Sequence, residues 1–214
     1  MIQILYQGGH GSHGPRAEAL AATTPGSLCG DISNTEPTKI PNLHTIAFWG
    51  HGDSYKLCHH SPSELIKLVR KWKKLNRSLK TIEVITCNAR HGAGKAEPYV
   101  KSLKGKIGIL SGTSGMKLKA LPVAYGGSSE AWSILLAETT FNSWVYITAP
   151  GGTDAMLMEA KTLIDFQKNA NGGLSSYRGD VATRANKVVR ENRDRKWTMN
   201  YGYFNTLRSS LVYV

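Results

Sequence analysis

Two short apolar segments separated by one amphipathic helix constrain the fold of this chain more than any other feature. His44–Gly50 (HTIAFWG) and Thr81–Thr86 (TIEVIT) contain runs of apolar and β-branched residues, which are typical of strands buried on both faces of a sheet. Between them, Ser61–Asn76 carries apolar residues at helical spacing, and Ser61 with Glu64 forms the pattern of a capping box. The three segments therefore predict a strand–helix–strand unit whose strands are neighbours.

The same patterns along the rest of the chain predict an α/β fold, because strands alternate with helices. The sheet is expected to be central and mostly parallel, with helices flanking it. The 214 residues, 41% of them hydrophobic, suffice for one core, so we expect a single domain over residues 1–214. Further strands are expected at Met1–Tyr6, Lys106–Ser111, Ser143–Ala149 and within Tyr203–Val214, and further helices at Arg16–Ala22 and near Glu130–Glu138, Thr153–Lys168 and Asp180–Asn192, whereas Thr23–Pro41 is expected to be irregular.

Each strand of the central unit is followed by a residue with acid–base or nucleophilic chemistry. His51 comes directly after His44–Gly50, and Cys87 comes directly after Thr81–Thr86. Parallel strands end at one edge of a sheet and lie about 4.8 Å apart, so the two side chains can meet across a crevice. An imidazole beside a thiol accepts its proton and leaves a nucleophilic thiolate. This predicts a catalytic dyad, with the backbone N–H groups of Gly52 and Cys87 as oxyanion donors.

The composition favours anionic partners and a reducing compartment. The formal net charge of +12 suits nucleic acid, an acidic membrane face or a polyphosphate, and it equally suits a well-solvated surface. The cysteines Cys29, Cys58 and Cys87 are too few for a disulfide framework. The chain has neither an apolar run long enough for a transmembrane helix nor the basic and apolar segments of a signal peptide. We therefore expect a protein that is cytoplasmic when made.

Three sequence blocks resemble those of the caspase-like (clan CD) cysteine peptidases. They are HTIAFWGHGD (44–53), SPSELIKLV (61–69) and TIEVITCNA (81–89). The detail is similar to the autoprocessing cysteine protease domains of multifunctional-autoprocessing RTX and related bacterial toxins. In those domains a Gly-His-Gly block precedes a Ser-x-x-Glu-Leu helix and a strand that ends in Gly-Cys; here Thr86 replaces that glycine. The resemblance covers about residues 40 to 115.

The resemblance implies a caspase-like layered fold and a cysteine endopeptidase whose dyad, His51 and Cys87, needs no third acid. It implies a bacterial effector or toxin-associated protease that acts on a protein substrate and is delivered into a host or target cell by a signal-independent route. It also implies activation by inositol hexakisphosphate bound in a basic pocket. The basic residues considered for that pocket are Lys117, Lys119, Arg193, Arg195 and Lys196.

The resemblance further suggests where the residue before the cleaved bond binds. In caspase-like enzymes, the strand next to the catalytic strand contributes its exit to this pocket. If that strand is Lys106–Ser111, the exit contains Thr113 and Ser114. These side chains are small and neutral, which would admit an apolar residue of the substrate.

Two readings from other classes stay open: a non-catalytic module that binds polyanions such as nucleic acid, and a pseudo-protease that keeps the fold but cleaves nothing. Nucleic acid is disfavoured because Trp72, the single aromatic in the basic run Lys67–Lys80, belongs to the apolar stripe. No metal is expected, because Cys58-His59-His60 matches no zinc-ligand spacing. Asp53 is expected to form a turn. His10 and His13 are expected in a loop that lines the cleft.

Overall fold

The computed structural model describes residues 1–9, 11, 13–90, 97–121, 131–138, 143–150, 159, 162–163 and 181–214. The chain divides into two compact units. The first unit consists of Met1–Pro122 and Ser209–Val214, and the second consists of Val123–Arg208. Each unit contains one sheet. The expectation of a single domain over the whole chain stays a prediction.

The described parts of the two units contain the strands and helices below, which alternate along most of the first unit. The strands are β1 (Ile2–Tyr6), β2 (Leu28–Asp31), β3 (Thr45–Gly50), β4 (Thr81–Thr86), β5 (Lys117–Ala120), β6 (Ala131–Glu138), β7 (Ser143–Pro150), β8 (Thr198–Tyr203) and β9 (Val212–Tyr213). The helices are α1 (His13–Ala22), α2 (Pro62–Leu75), α3 (Tyr99–Lys106), α4 (Val181–Glu191) and α5 (Phe204–Leu207).

The first unit is built on a six-stranded sheet in the order β2–β1–β3–β4–β5–β9. Five of these strands are parallel, and β9 alone pairs antiparallel, with β5. Helix α1 packs on β1 and β2, α3 packs on β5, and α2 packs on α3. This confirms the predicted α/β fold with a central, mostly parallel sheet flanked by helices, and it is consistent with a caspase-like layered fold.

The direction in which strands are added to this sheet reverses between β1 and β3. From β1 the chain passes through α1 to β2 on one side, whereas from β3 it passes through α2 to β4 and through α3 to β5 on the other. Because crossovers between parallel strands are right-handed, this reversal sends α1 and α2 to opposite faces. Open α/β sheets form their ligand crevices outside the strand carboxyl ends at such a switch point.

Both faces of β3 and β4 are buried, which explains their apolar sequences. Alternate residues belong to the core shared with α2 and α3: Ile46, Phe48, Ile82 and Val84 pack with Val69, Trp72, Tyr99 and Leu103. The residues between them point to the opposite face, where Ala47, Trp49 and Ile85 are buried as well. The two strands are therefore held rigidly up to their last residues.

Helix α2, which connects these strands, begins with the predicted capping box. The Ser61 hydroxyl accepts a hydrogen bond from the Glu64 N–H at 3.3 Å, and the Glu64 carboxylate accepts one from the Ser61 N–H at 2.8 Å. These bonds satisfy N–H groups that have no partner within the helix. Leu65, Val69 and Trp72, which repeat at helical spacing, are buried, whereas Leu75, the last residue of the helix, is 47% exposed.

The second unit contains an antiparallel sheet in the order β6–β7–β8. Helix α4 packs on β7 and β8, which confirms the helix expected near Asp180–Asn192. Its described core consists of Val145, Ile147, Ala185, Val188 and Trp197. The strand expected at Ser143–Ala149 is confirmed as β7.

Two expected elements are wrong. Lys106–Ser111 is not a strand, because α3 continues to Lys106 and the chain then turns, with Leu110 N–H bonded to the Lys106 carbonyl at 3.3 Å. Gly108 and Gly112, at φ 92° and 86°, have left-handed backbones that interrupt extended structure. The segment near Glu130–Glu138 is the strand β6 rather than a helix, because it pairs with β7 over its whole length.

Other boundaries differ from those expected. Helix α1 begins at His13 rather than Arg16, since Pro15 fits a first turn, where its missing N–H is not needed. The segment Thr23–Pro41 contains the edge strand β2. The expected last strand is β9, two residues long. The helix expected near Thr153–Lys168 lies mostly outside the described residues.

None of the described helices is long and apolar enough to cross a membrane.

Candidate active site

The two strand ends that carry His51 and Cys87 are neighbours in the sheet. Strands β3 and β4 pair residue for residue, and the last pair is Gly50 opposite Thr86. His51 and Cys87 follow directly, so their backbones leave the same edge about one strand spacing, 4.8 Å, apart. His51 is exposed and Cys87 is half-buried. The register thus brings the predicted base and the predicted nucleophile to one edge of the first unit.

The side chain of Thr86 and the missing side chain of Gly52 bring the two strand ends close together. The Thr86 hydroxyl donates to the Gly50 carbonyl at 2.6 Å. A Cβ atom at Gly52 would lie 2.6 Å from Thr86 Oγ1 and 3.2 Å from the Cys87 carbonyl oxygen. A side chain at 52 would therefore push the segment after His51 away from Cys87. Thr86 fits beside this segment because residue 52 is glycine.

The loop after His51 is closed by backbone and turn hydrogen bonds. The His51 carbonyl accepts from the Cys58 N–H at 2.9 Å, and the Asp53 N–H donates to the Lys56 carbonyl at 2.9 Å. The Asp53 carboxylate accepts from the N–H groups of Tyr55 and Lys56 at 2.7 and 2.8 Å. Asp53 is therefore a turn-forming residue, as expected.

A strained tight turn returns this loop to α2. Cys58 and His59 have φ values of 48° and 66°, a region that non-glycine residues seldom adopt. Leu57 and His60 exchange backbone hydrogen bonds of 2.9 and 2.8 Å across the turn. Strain of this kind costs about 1–3 kcal/mol per residue and persists where surrounding contacts impose it. One such contact joins His59 Nε2 and Gln7 Nε2, 2.7 Å apart.

Gln7, the residue after β1, connects that strand to the end of β3. Its side chain is buried, its backbone N–H donates to the Trp49 carbonyl at 2.9 Å, and its Oε1 accepts the His51 N–H at 2.9 Å. An amide nitrogen only donates, so His59 Nε2 accepts the bond from Gln7. Because a Cβ atom at Gly50 would lie 2.7 Å from Gln7 Cβ, the glycine allows this close approach.

His13 brings the start of α1 to the same edge. Its ring is buried, and its Nδ1 lies 3.0 Å from the Gln7 carbonyl oxygen. The ring meets that of His51 edge to face, with centroids 4.7 Å apart and an interplanar angle of 64°. His13 is thus the first residue of α1 rather than a loop residue, and its ring lies beside that of the predicted base. His10 lies outside the described residues.

The environments of the other two cysteines do not suit a nucleophile. None of the three forms a disulfide. Burial raises the pKa of Cys58 to about 12, and its Sγ lies 3.6 Å from the Trp49 carbonyl oxygen. The pKa of Cys29 is also raised, by burial and then by the charge of Glu18. Since the thiolate is the reactive species, both shifts make these thiols less reactive near neutral pH than an ordinary cysteine.

Both predicted oxyanion donors lie at the edge where β3 and β4 end. The hydrogen bonds that close the loop after His51 use the N–H groups of Asp53 and Cys58 and do not involve that of Gly52. Cys87 begins a turn in which Asn88 has a left-handed backbone at φ 51°. Asparagine tolerates this conformation better than most residues. The turn therefore directs the chain away from the sheet immediately after the thiol.

Thr113 and Ser114 do not lie beside the dyad. They precede β5, whose first residue, Lys117, pairs with Thr81 at the start of β4. Cys87 is six residues further along that strand direction, about 20 Å away at 3.3 Å per residue. Thr113 is also fully buried. The predicted substrate pocket depended on the strand Lys106–Ser111, which is not formed, and the exit of β5 at 122–130 lies outside the described residues.

The five basic candidates for anion binding fall in both units. Lys117 and Lys119 lie on one side of β5, with Nζ atoms 5.6 and 4.8 Å from the Tyr213 ring centroid. Arg193, Arg195 and Lys196 belong to the second unit. Of these, Arg195 pairs with Glu159 at 2.7 Å and lies 5.1 Å from the Trp197 ring.

The described residues contain no cluster of three or more histidine, cysteine or acidic side chains arranged to hold a metal ion. In Cys58-His59-His60, the one sequence run considered for zinc, the polar side-chain atoms contact other groups of the chain. Its thiol contacts the Trp49 carbonyl, and His60 Nδ1 lies 2.6 Å from the Cys58 carbonyl oxygen.

Sequence reasoning missed Gln7 as a site residue. Glutamine has no titratable or nucleophilic group, and the pairing of β1 with β3 is not visible in either strand alone. The available signal was its position directly after a buried strand, the same position that singles out His51 and Cys87. No protein-family model, curated protein or solved structure matches this chain. The assignment of this edge as a site therefore rests on geometry within the chain.

Proposed function

We propose that this protein is a cysteine endopeptidase in which Cys87 is the nucleophile and His51 the general base and acid. The observation that carries the proposal is the parallel register of β3 and β4, which ends at Gly50 opposite Thr86. Three further features support it: Gly52 approaches the Cys87 carbonyl, His51 is exposed, and β3, which His51 follows, is one of the two strands at the switch point of the sheet.

The proposed reaction proceeds through a thioester. His51 takes the thiol proton, and Cys87 Sγ bonds to the carbonyl carbon of the scissile peptide. The N–H groups of Gly52 and Cys87 stabilise the resulting oxyanion. As the C–N bond breaks, the imidazolium returns the proton to the leaving amine, and an attacking water then releases the carboxylic acid and the thiol.

A peptide library with mass-spectrometric detection of products tests this function directly. We expect cleavage by the wild-type chain and a loss of about 10³-fold or more in Cys87→Ala, because without the thiol no acyl intermediate forms. Cys29→Ala is the matched control and should retain the wild-type rate. Unchanged cleavage by Cys87→Ala would contradict the mechanism, and a wild-type chain that cleaves nothing in the library would favour the pseudo-protease.

The base is tested by His51→Ala, with His44→Ala as its control. The two histidines flank β3, but His44 lies at the opposite edge, where its Nδ1 is 3.3 Å from the Ser78 carbonyl oxygen. Loss of a general base costs about 10²- to 10⁴-fold in rate. We expect that loss for His51→Ala alone, measured as kcat on the best library peptide. Equal rates for the two variants would remove His51 from the mechanism.

The proposal includes an anionic activator, with inositol hexakisphosphate as the compound to test. The net charge of +12 and the two lysines on one side of β5 support it. We expect faster cleavage with inositol hexakisphosphate than with inorganic sulfate, and a weaker response in the double variant Lys117→Gln, Lys119→Gln. Equal rates with both anions would contradict activation.

Salt-sensitive nucleic-acid binding by a chain that cleaves nothing would favour the polyanion-binding module.

A further inference from the structure

We propose that His13 is a positioning residue that holds the His51 imidazole in its catalytic orientation. The inference rests on the proposed function, because it assigns a role toward the base of the dyad. Its starting point is the edge-to-face contact of the two rings, whose centroids are 4.7 Å apart.

The ring of His13 is held in one orientation. The side chain is 5% exposed and begins α1, and its Nδ1 lies 3.0 Å from the Gln7 carbonyl oxygen. A carbonyl oxygen only accepts hydrogen bonds, so Nδ1 must carry the proton and donate it. The bond thereby fixes both the tilt of the ring and its tautomer. His13 thus presents a rigid surface to its neighbour.

The backbone of His51 is tied to the same glutamine. Gln7 Oε1 accepts the His51 N–H at 2.9 Å, while the Gln7 carbonyl accepts from His13. Gln7 is itself 6% exposed and bonded to β3 through the Trp49 carbonyl. One buried residue therefore sets the position of the His51 main chain and of the ring against which its side chain packs.

Packing against the His13 ring restricts the rotamers of the His51 side chain. His51 is exposed, and a neighbouring ring that packs against such a side chain favours some of its rotamers over others. A reacting group that is misplaced by about 1 Å can lose about 10²-fold in rate. The His13 ring supplies packing on one side of the His51 imidazole.

Three variants separate the ring of His13 from its hydrogen bond. His13→Ala removes both, His13→Asn keeps a donor for the Gln7 carbonyl without the ring, and His13→Phe keeps a planar ring without the donor. We expect His13→Ala to lower kcat about 10- to 100-fold with little change in KM, since the loss concerns orientation rather than substrate binding. We expect His13→Phe to be faster than His13→Asn. Equal rates for His13→Phe and His13→Asn would overturn the role of the ring.

Iodoacetamide alkylation of Cys87 at neutral pH distinguishes this inference from the proposed function. A displaced His51 no longer stabilises the thiolate, so Cys87 should be alkylated more slowly in His13→Ala than in the wild type. Slow alkylation of wild-type Cys87 would contradict the dyad itself. Fast alkylation that is identical in the wild type and the variant would contradict the positioning role alone.

A measurement on the wild-type chain keeps the inference testable if a variant fails to fold. Nuclear magnetic resonance should detect the Nδ1–H tautomer of His13 and a nuclear Overhauser effect between the His13 and His51 ring protons. An Nε2–H tautomer of neutral His13, or the absence of contact between the rings, would overturn the proposal.

Discussion

At the scale of single residues, the three cysteines differ in what their surroundings permit. Cys58 is 1% exposed beneath the Trp49 carbonyl, and Cys29 is half-buried near the Glu18 carboxylate. Both environments disfavour a negative charge, which leaves each sulfur as a neutral thiol. Cys87 instead follows the last residue of β4, at the edge that β4 shares with His51.

The Cys58 thiol should make stability depend on pH in the alkaline range. Burial raises its pKa from the ordinary value of 9.0 to about 12, so the folded state binds a proton that the unfolded state releases. The resulting stabilisation is complete below pH 9.0 and is lost as pH rises toward 12. We expect the difference in free energy of unfolding between the wild type and Cys58→Ala to shrink over this window in urea titrations. A difference that stays constant would contradict the buried neutral thiol.

At the scale of elements, the site depends on how closely the segment after β3 approaches the end of β4. Gly52 is the point of contact, because a Cβ atom there would lie 2.6 Å from Thr86 Oγ1. The loop beyond it is closed by bonds from Asp53 and Cys58, so it has little freedom to move aside. How closely the segment after His51 approaches Cys87 therefore depends on one glycine and one threonine.

Gly52→Ala should impair catalysis far more than stability. The added methyl displaces the backbone beside His51 by a few tenths of an ångström or more, and such misplacement of a reacting group is costly. We expect kcat to fall about 10-fold or more, with the fold retained by circular dichroism. Gly105→Ala is the control, since its Cβ meets nothing within 4 Å. Unchanged kcat in Gly52→Ala would show that this approach does not determine catalysis.

The capping box of α2 should contribute to stability and make it sensitive to acid. Ser61→Ala removes the two hydrogen bonds of the Ser61 hydroxyl, which accepts from the Glu64 N–H and donates to the Glu64 carboxylate, and it should cost about 1 kcal/mol in free energy of unfolding. The exposed Ser63→Ala should cost little. The pKa of Glu64 is lowered by hydrogen bonds from the Ser61 N–H and hydroxyl. Its contribution is therefore present above the unfolded-state pKa of glutamate and lost as pH falls through the folded-state value.

Urea titrations of Glu64→Gln beside the wild type across the acidic range check this pH dependence. The two chains should differ in free energy of unfolding near neutral pH and converge as the carboxylate is protonated. A difference that grows in acid would contradict the assignment.

At the scale of the whole molecule, the chain forms two units, and the sheet of the first unit includes a strand from the end of the sequence. Strand β9 pairs antiparallel with β5, and the Val214 N–H donates to the Leu118 carbonyl at 3.0 Å. The residues of the second unit lie between these paired strands in the sequence. The first unit therefore requires contacts between residues far apart along the chain.

The sequence predicted best what local signals determine. The strands around His44–Gly50 and Thr81–Thr86 and the capped helix between them were correct, because burial on both faces and the capping box are visible within each segment. The inference that these two strands are neighbours in the sheet followed from the single helix that joins them. This local pattern was enough to bring His51 and Cys87 to one edge.

Pairing between distant segments could not be predicted in the same way. Ala131–Glu138 has residues that suit a helix, and it is a strand because β7 pairs with it. The pocket assigned to Thr113 and Ser114 depended on a strand that glycines prevent. Gln7 belongs to the site through β1, whose register against β3 is a property of the folded sheet.

The most direct test of the account is whether one short reagent can bridge Cys87 and His51. Dibromoacetone alkylates a reactive thiol first and then attaches to a nucleophile close enough for its second carbon to reach. We predict that mass spectrometry of the digested wild-type chain will find the peptide of Cys87 cross-linked to that of His51, and that His51→Ala will yield only the singly attached product at Cys87. Single attachment at Cys87 in the wild type, or a bridge from Cys87 to some other residue, would contradict the dyad.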